Sequence, residues 1–344
     1  MPRPARALCC AAALTLAMAL TDASAEESLA NLDAGGLIIE PTDQLELKAE
    51  DIFLSARQVR AAYRVLNKAS QDLTLTIAFP LPEVTGEADL DVAIPNPASP
   101  NFLDVQARAA GKPVEASVEQ HAFFAPDGAQ ESEITDLLKG LNIPLMPASA
   151  ATAEALKRLS DQDRAKLSAP GYIQQAGENW VPLWTLRSRI VRQQVLAAGK
   201  EILLQYSYTP SVGSAAGLYF DRTNLTGESL AQYQKKYCVN EGFLRAADAL
   251  TKRLTAAKPQ PGETAKTPKP RQTYFGYAFV GGGRWSAPAG RFGLVIDKAF
   301  PDNLVSFCAE GAKKVSSTRY ELKRNNYAPD RNIDILILDK NAAP

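Results

Sequence analysis

The chain has 344 residues, 38 of them basic and 38 acidic, with one histidine, four cysteines and 46% hydrophobic residues. This composition is typical of a folded globular protein, and it excludes a collagen-like chain, a largely disordered chain and a membrane protein with many spans. The formal net charge of zero argues against nucleic acid as a partner, because binding to a phosphate backbone needs a clustered excess of lysine and arginine.

The first 25 residues are typical of a cleaved export signal. Arg3 and Arg6 precede an unbroken apolar run over 7–20, and Ala23-Ser24-Ala25 has the small-x-small pattern that signal peptidase recognises. A membrane anchor is the alternative, but the apolar run is shorter than the roughly 20 residues that a spanning helix needs. We therefore expect 1–25 to be removed as a signal peptide. The mature chain has no later apolar segment of spanning length and is expected in the periplasm.

Signal cleavage would leave Cys238 and Cys308 as the remaining cysteine pair, in an oxidising compartment. We expect these residues to form a disulfide, which would close a loop of about 71 residues and stabilise the fold by about 4 kcal/mol. Two separate buried thiols stay open as the alternative, because sequence spacing does not show that the residues are close. A redox role is not favoured, because the sequence lacks a Cys-x-x-Cys motif.

Alternating apolar residues predict strands over most of the chain. Residues 59–65 and 73–79 both have a two-residue period, and we predict an antiparallel hairpin with a polar loop at 67–72. A second hairpin is predicted around the Ala-Ala-Gly-Lys turn at 109–112. The same four residues recur at 197–200, again between two predicted strands. The strands flanking these two turns are predicted near 103–107 and 114–118, and near 184–190 and 202–208.

A helical insertion is predicted at 131–171. Ser132 is a candidate N-cap for a short helix, and Ser160 with Asp163 resembles a capping box for another. The residues between these two sites are rich in alanine and leucine, which favour helix.

The C-terminal third begins with a clearer amphipathic helix at 241–254, for which Asn240 is the candidate N-cap. Residues 257–271 carry four prolines and four basic residues, which is typical of an exposed, stiff linker. The final strand is apolar on both faces, as expected of a central strand. The strands predicted after the linker are 274–280, 292–296, 304–307 and 333–338.

Together these elements predict a mainly β (α+β) fold of antiparallel, sandwich-like sheets. We predict a signal peptide at 1–25 and a β-sandwich-like domain at 26–235 that contains the helical insertion. Residues 236–344 are predicted to form the helix, the Pro/Lys linker and a C-terminal β lobe. The sequence leaves open whether the two parts share one core.

Several separated blocks of sequence resemble a known bacterial family. They are Gly35-Gly36-Leu37, Glu50-Asp51-Ile52-Phe53-Leu54-Ser55, Phe79-Pro80-Leu81-Pro82, Tyr208-Thr209-Pro210-Ser211-Val212-Gly213, Gly290-Arg291-Phe292-Gly293-Leu294-Val295-Ile296-Asp297-Lys298 and Pro301-Asp302-Asn303-Leu304-Val305-Ser306-Phe307-Cys308. In these blocks the chain is similar to the domain-of-unknown-function family numbered 4424, over nearly the whole mature chain. The resemblance implies an exported protein of Gram-negative type and transfers no catalytic residue.

Familiar catalytic and metal-binding motifs are not assembled in this sequence. His121 is the only imidazole, which excludes a histidine-rich zinc site, and we expect it to be a hydrogen-bonded surface or edge residue. There is no Gly-x-Ser-x-Gly or Ser-x-x-Lys motif. Asp330, Asn332 and Asp334 match the start of a calcium loop, but Ile335 stands where that loop needs glycine. We therefore predict no catalytic residue, metal or cofactor.

Two stretches are weak candidates for ligand binding. Trp180 and Trp184 lie four residues apart, close to Arg187, and would stack on a glycan if they formed one wall. A glycine-rich run with an arginine would cradle an anion through clustered backbone N–H groups. Ordinary packing of the aromatic residues and a simple glycine-rich turn are the alternatives. The second run consists of Gly281, Gly282, Gly283, Arg284 and Trp285.

The sequence therefore favours an exported, noncatalytic protein that binds an envelope component or another periplasmic protein through loops at the ends of its sheets. The alternative is a metal-independent periplasmic hydrolase that acts on glycan or other envelope material through unassigned Asp and Glu residues. Whether the protein is an enzyme is left open, with the binding role preferred.

Overall fold

The structure, a computed structural model, describes residues 32–39, 42–86, 92–126, 130–216, 225–256, 270–279 and 288–339. The expected signal peptide and most of the expected linker lie outside these residues. The helices are α1 (Thr135–Gly140), α2 (Ala150–Lys157), α3 (Asp161–Ser168), α4 (Gly227–Tyr237) and α5 (Glu241–Ala256). The strands are β1 (Asp33–Ala34), β2 (Ile38–Ile39), β3 (Leu45–Leu54), β4 (Val59–Asn67), β5 (Leu73–Pro80), β6 (Val84–Thr85), β7 (Val92–Ala93), β8 (Gln106–Ala109), β9 (Lys112–Pro113), β10 (Ser117–Phe124), β11 (Ser132–Glu133), β12 (Ile173–Ala176), β13 (Asn179–Pro182), β14 (Thr185–Leu196), β15 (Glu201–Tyr208), β16 (Val212–Ala216), β17 (Arg271–Tyr277), β18 (Ala289–Asp297), β19 (Leu304–Phe307), β20 (Lys313–Lys314), β21 (Arg319–Tyr327) and β22 (Ile333–Asp339).

Most of these strands form three mainly antiparallel sheets. The large sheet has the order β20-β21-β18-β3-β4-β15-β8-β9. The helix-covered sheet, against which α4 and α5 pack, has the order β19-β22-β17-β16-β7 with β1 beside β17. The insertion sheet has the order β11-β10-β14-β5-β2 with β6 beside β14. Strand β22 is therefore central, as its two apolar faces predicted.

The inner faces of the three sheets meet in one apolar cluster. It combines Val59, Tyr63 and Leu294 of the large sheet with Ile335 of the helix-covered sheet and Ile77 of the insertion sheet. Burial of this shared apolar surface is the main driving force that holds the sheets together. The fold is thus β-rich α+β with sheets packed face to face, and the predicted fold class is confirmed.

The predicted hairpin of 59–65 with 73–79 is wrong. Both strands exist, but β4 pairs with β3 and β15 in the large sheet, whereas β5 pairs with β14 and β2 in the insertion sheet. The loop between them crosses from one sheet to the other and is held by the buried Asn67. The Nδ2 of Asn67 donates to the carbonyls of Gln71 at 3.0 Å and Leu196 at 2.9 Å, and its Oδ1 accepts from the amide of Ala69.

The two Ala-Ala-Gly-Lys sequences form different connections. The first makes the tight hairpin between β8 and β9, with positive φ at Ala110 and Gly111, as predicted. The strand expected after it does not return to β8, because β10 pairs with β14 in the insertion sheet instead. The second connects β14 to β15, which lie in different sheets. The same four residues therefore serve a hairpin and a crossing between sheets.

Two of the three predicted helix caps are confirmed. Ser160 Oγ accepts from the amide of Asp163 at 3.1 Å and begins α3, and Asn240 Oδ1 accepts from the amide of Phe243 at 3.0 Å and begins α5. The cap predicted at Ser132 is wrong, because this residue belongs to β11, which pairs with β10, and α1 begins only at Thr135. Helix α4 was not predicted.

Strands from the two predicted segments share sheets. Strand β18 from the C-terminal segment pairs in parallel with β3 of the N-terminal segment, and β17 pairs with β16. The boundary set at 235 and 236 falls inside α4. The two segments therefore contribute to one core, which answers the question that the sequence left open. In the described part of the chain, no helix has the length and apolar character needed to cross a bilayer.

Candidate functional site

Both tryptophans that were candidates for a stacking wall lie at the helical insertion. Trp184 is fully buried and donates its Nε1 hydrogen to the carbonyl of Leu145 at 2.9 Å, so it offers no free face to a ligand. Trp180, on β13, is half-buried and lies 5.6 Å from the guanidinium of Arg164. Both indoles pack against the apolar cluster of the helical insertion. Both indoles therefore contribute to packing there.

Arg187 lies on the outer face of the insertion sheet, with its donors already used. Its Nη1 and Nη2 donate to Glu131 at 2.7 Å each, and its Nε donates to Glu83 at 2.8 Å. In the neighbouring strand, His121 Nδ1 lies 2.7 Å from Glu133 Oε1 at the surface, as expected for this histidine. These exposed pairs make the outer face of the insertion sheet charged.

The other sequence candidates divide into two groups. The run Gly281, Gly282, Gly283, Arg284 and Trp285 lies outside the described residues. Asn332 and Asp334, from the calcium-like pattern, take part in contacts of the helix-covered sheet: Asn332 Nδ2 donates to Asp33 Oδ2 at 3.0 Å, and Asp334 lies 3.7 Å from Lys236 Nζ. Among the described residues, no three His, Cys, Asp or Glu side chains are grouped to hold a metal ion.

The expected disulfide between Cys238 and Cys308 is present, with the two Cα atoms 5.1 Å apart. Cys238 follows α4 with a positive φ of 55°, and Cys308 follows β19. The hydroxyl of Ser306 donates to the carbonyl of Tyr237 beside the bond. The disulfide therefore joins the corner between α4 and α5 to the edge strand of the helix-covered sheet.

A buried carboxyl group and two tyrosines form a tyrosine–glutamate cluster, consisting of Glu50, Tyr63 and Tyr277. A bulge between Leu47 and Ala49 shifts the register of β3, so that Glu50 pairs with Tyr63 on the inner face. Glu50 is 8% exposed, and its burial, followed by the nearby charge of Asp51, raises the pKa of its carboxyl to about 7. The hydroxyls of Tyr63 and Tyr277 lie 2.5 Å apart.

Several blocks that carry the family resemblance meet at this cluster. The Gly35 amide donates to the carbonyl of Pro80 and the Gly36 amide to the hydroxyl of Tyr277. The hydroxyl of Tyr208 donates to the carbonyl of Ala34 at 3.1 Å. Because the cluster lies between the sheets and is covered on both sides, it joins the sheets and offers no open surface.

Arg192, on the inner face of β14, is a buried basic residue with 6% of its surface exposed. Its Nε donates to the hydroxyl of Tyr206 at 3.2 Å, across the gap to the large sheet, and its Nη1 donates to Gln194 Oε1. Its Nη2 is buried and makes no hydrogen bond. No carboxylate of the described chain pairs with this guanidinium. A buried cation without a counter-charge is energetically expensive and therefore unusual.

Arg192 lies beside an open edge between the large sheet and the insertion sheet. Strand β10 begins at Ser117 and therefore does not cover β14 at Gln194. Strand β8 ends at Ala109 and therefore does not cover β15 at Ile202. Inward-facing apolar side chains are partly exposed there. We define the Arg192 site as Arg192, Gln194, Tyr206, Val114, Val118 and Ile202.

The Arg192 site has the chemistry of a binding site. An apolar wall with one unsatisfied cationic donor is a common design for holding a small anionic molecule. None of its six side chains is a carboxylate, imidazole or thiol, and burial raises the pKa of the Tyr206 hydroxyl, which therefore stays protonated at neutral pH. The sequence signal for it is the two-residue period of β14, which places Leu186 and Ile190 inward and places Arg192 inward with them.

Comparison with known proteins gives a family. No curated protein matches the chain. A solved structure from Legionella pneumophila, described as "a putative nutrient binding protein", aligns with a TM-score of 0.42 and 10% sequence identity, covering 90% of this chain and 72% of that chain. The family model described as "Domain of unknown function (DUF4424)" matches residues 25–336. This match spans nearly the whole chain, as the resemblance implied, and the protein belongs to the DUF4424 family.

Proposed function

We propose that this protein is an exported, noncatalytic binding protein of the bacterial envelope, which holds a small anionic ligand between its large sheet and its insertion sheet. The observation that carries the proposal is the buried Nη2 of Arg192, which has no partner. An uncompensated buried charge costs several kcal/mol. A ligand anion that arrives at the open edge would supply the missing counter-charge.

The noncatalytic part of the proposal rests on the composition of the Arg192 site. Its hydrogen-bonding groups are a guanidinium, a phenol and an amide, and the remaining side chains are aliphatic. Burial raises the pKa of three carboxyls, and none of them belongs to the Arg192 site: Glu50 lies in the covered tyrosine–glutamate cluster, and Asp33 and Asp334 take part in contacts of the helix-covered sheet. Export is supported by the leader-like sequence at 1–25.

The full chain, expressed with its leader in a Gram-negative host and purified from the periplasmic fraction, tests both parts. We expect the intact mass to show an N-terminus at Glu26. We expect native mass spectrometry to show a retained small molecule that is lost in Arg192→Met. Arg189→Met removes an arginine from the outer face of the same strand and is the matched control, which should keep the ligand.

An unprocessed chain found in the cytoplasm would contradict export. If the wild type and Arg192→Met retain the same added mass over their own ligand-free masses, or if neither retains any, after incubation with an extract of the cell envelope, binding at this site would be contradicted. The two results are independent, because the first reports on the leader and the second on the folded domain.

A further inference from the structure

We propose that the Arg192 site binds a monoanionic carboxylic acid with an apolar body, such as a medium-chain acyl acid. This inference rests on the proposed function and adds the chemical class of the ligand. Its argument has two parts, one for the charged end of the ligand and one for the body.

The donors at the site match a single carboxylate. Arg192 Nη2 has free N–H groups, and the hydroxyl of Tyr206 accepts from Arg192 Nε, which leaves its own hydrogen to donate. Burial raises the pKa of Tyr206, so this hydroxyl stays protonated at neutral pH. The Nη2 donor of Arg192 and the hydroxyl of Tyr206, which accepts from Nε of the same guanidinium, would together suit the two oxygens of a planar carboxylate.

The charge of the site limits the ligand to one negative charge. The inner-face positions next to Arg192 are Ile190 and Gln194 on its own strand and Ile77 on the paired strand, and none of these supplies a second cation. A phosphate monoester would carry about two negative charges at neutral pH into a place with only one positive charge. The single negative charge of a carboxylate balances the single positive charge of Arg192, so a carboxylate is the better match.

The walls of the site suit an apolar body. Val118 of β10 pairs with Ile190 of β14, which lies one inner-face position before Arg192. The amide of Val114 donates to Ala107, which pairs with Tyr206. Ile202 lies further along β15, past the end of β8. These three aliphatic side chains pack on the core and are partly exposed, so an acyl chain bound there would cover them.

Isothermal titration of the delipidated protein with four probes tests this assignment. The probes are acetate, octanoate, octanol and octyl phosphate. We expect octanoate to bind, and we expect affinity in a series of alkanoates to rise about fourfold for each methylene that becomes buried. Octanol lacks the charge and octyl phosphate carries too much, so both should bind at least about tenfold more weakly than octanoate.

Three variants assign the binding to individual side chains. Arg192→Met should lower the affinity for octanoate at least about tenfold, because it removes a charge-assisted hydrogen bond. Ile202→Glu keeps the guanidinium but places a negative charge at the opening, and it should also weaken octanoate binding. Arg189→Met, on the outer face, should leave the affinity unchanged. Unchanged octanoate affinity in Arg192→Met would overturn the proposal.

The stability of the ligand-free protein separates a binding role for Arg192 from a structural role. Replacing a buried charge that lacks a counter-charge with an apolar side chain of similar volume is often neutral or stabilising. We therefore expect ligand-free Arg192→Met to melt at the same temperature as the wild type or higher. A variant that melts much lower, or does not fold, would assign the guanidinium to the architecture and overturn the proposal.

The probes also separate failure of the ligand class from failure of the proposed function. Arg192-dependent binding of octyl phosphate without binding of octanoate would overturn the carboxylate assignment and leave an anion-binding protein. If none of the four probes binds and native mass spectrometry detects no retained molecule, both proposals are overturned.

Discussion

Burial gives two carboxyl groups of this protein an unusual affinity for protons. Asp33 lies beside β17, where desolvation and then the charge of Asp334 raise the pKa of its carboxyl to about 7. Glu50 in the tyrosine–glutamate cluster has a pKa of about 7, chiefly through desolvation. Both groups bind a proton more tightly in the folded chain than in the unfolded chain. Their contribution to stability is therefore complete at acidic pH and is lost as the pH rises through about 7.

Glu50→Gln tests this linkage. The unfolded-state pKa is close to 4.5 and the folded-state pKa about 7, so ionisation of Glu50 should lower the free energy of unfolding by about 3 kcal/mol between these pH values. Glutamine has nearly the same shape and does not ionise. The variant should therefore gain stability relative to the wild type as the pH rises from 4.5 to 8, which urea denaturation at several pH values would measure.

The matched control is Glu46→Gln, which changes a half-buried glutamate of the same strand that forms an ion pair with Lys48 at the surface. The free energy of unfolding of this variant should change with pH in the same way as that of the wild type. Asp33 contributes a dependence of the same sign that remains in both variants. Parallel curves for Glu50→Gln and the wild type would show that Glu50 is not protonated on folding.

Gly35 lies at a position where the surrounding structure leaves no room for a side chain. It has a φ of 123°, and a Cβ atom built on it would lie 2.3 Å from the ring of Tyr277. Gly35→Ala should lower the free energy of unfolding by about 2 kcal/mol or more, because the added methyl group meets both backbone strain and a buried ring. Chemical denaturation measures the change.

Gly140 provides the control for Gly35. It ends α1, and a Cβ atom added there has open space around it. Gly140→Ala should therefore change the free energy of unfolding by less than about 0.5 kcal/mol. Equal effects of the two substitutions would mean that the turn at Gly35 tolerates a side chain and that Tyr277 moves to accommodate it.

At the scale of single elements, alternation in the sequence predicts which residues face the core but not which strands pair. Val59, Val65, Ile77 and Leu204 are all inward, as their two-residue periods indicate. The apolar face of a strand is buried equally well by a hairpin within one sheet and by a crossing into the facing sheet. The choice depends on contacts distant in sequence, such as the hydrogen bond of Asn67 to the carbonyl of Leu196, and local patterns do not contain them.

Two further features show why a local pattern fails. The inward positions Leu45 and Leu47 would place Glu50 outward, but the bulge in β3 reverses the alternation after Leu47 and turns Glu50 inward. Helix α4 buries only tyrosines, at Tyr233 and Tyr237, and its N-cap makes no side-chain hydrogen bond, so neither an aliphatic stripe nor a cap indicates it. Arg192 is the opposite case, because the uninterrupted period of β14 is sufficient to place it inward.

At the scale of the whole molecule, the two halves of the chain are interleaved. Strand β18 lies between β21 and β3 in the large sheet, and β1 pairs in parallel with β17 in the helix-covered sheet. Removing either half would therefore break ladders in both sheets. We expect the described part of the chain to unfold as one cooperative unit, because the large sheet and the helix-covered sheet each take strands from both halves, and all three sheets share one apolar core.

The disulfide between Cys238 and Cys308 acts on this whole unit. The loop that it closes contains α5, β17, β18 and β19, and thus strands of two different sheets. In the chain-entropy model a loop of about 71 residues restricts the unfolded chain enough to stabilise the fold by about 4 kcal/mol. The double variant Cys238→Ser, Cys308→Ser should therefore unfold at a lower urea concentration. Its free energy of unfolding should also fall more steeply with urea concentration, because the unfolded chain becomes more expanded.

Reductant provides the internal control for this prediction. Adding it to the wild type should bring the unfolding midpoint to that of the double variant, and it should leave the double variant unchanged. A wild type whose midpoint is the same with and without reductant would mean either that the thiols are free or that the bond resists reduction, and alkylation of the unfolded chain followed by mass measurement separates these cases. Because the closed loop spans two sheets, we expect a single shifted transition and not a separate loss of the helix-covered sheet.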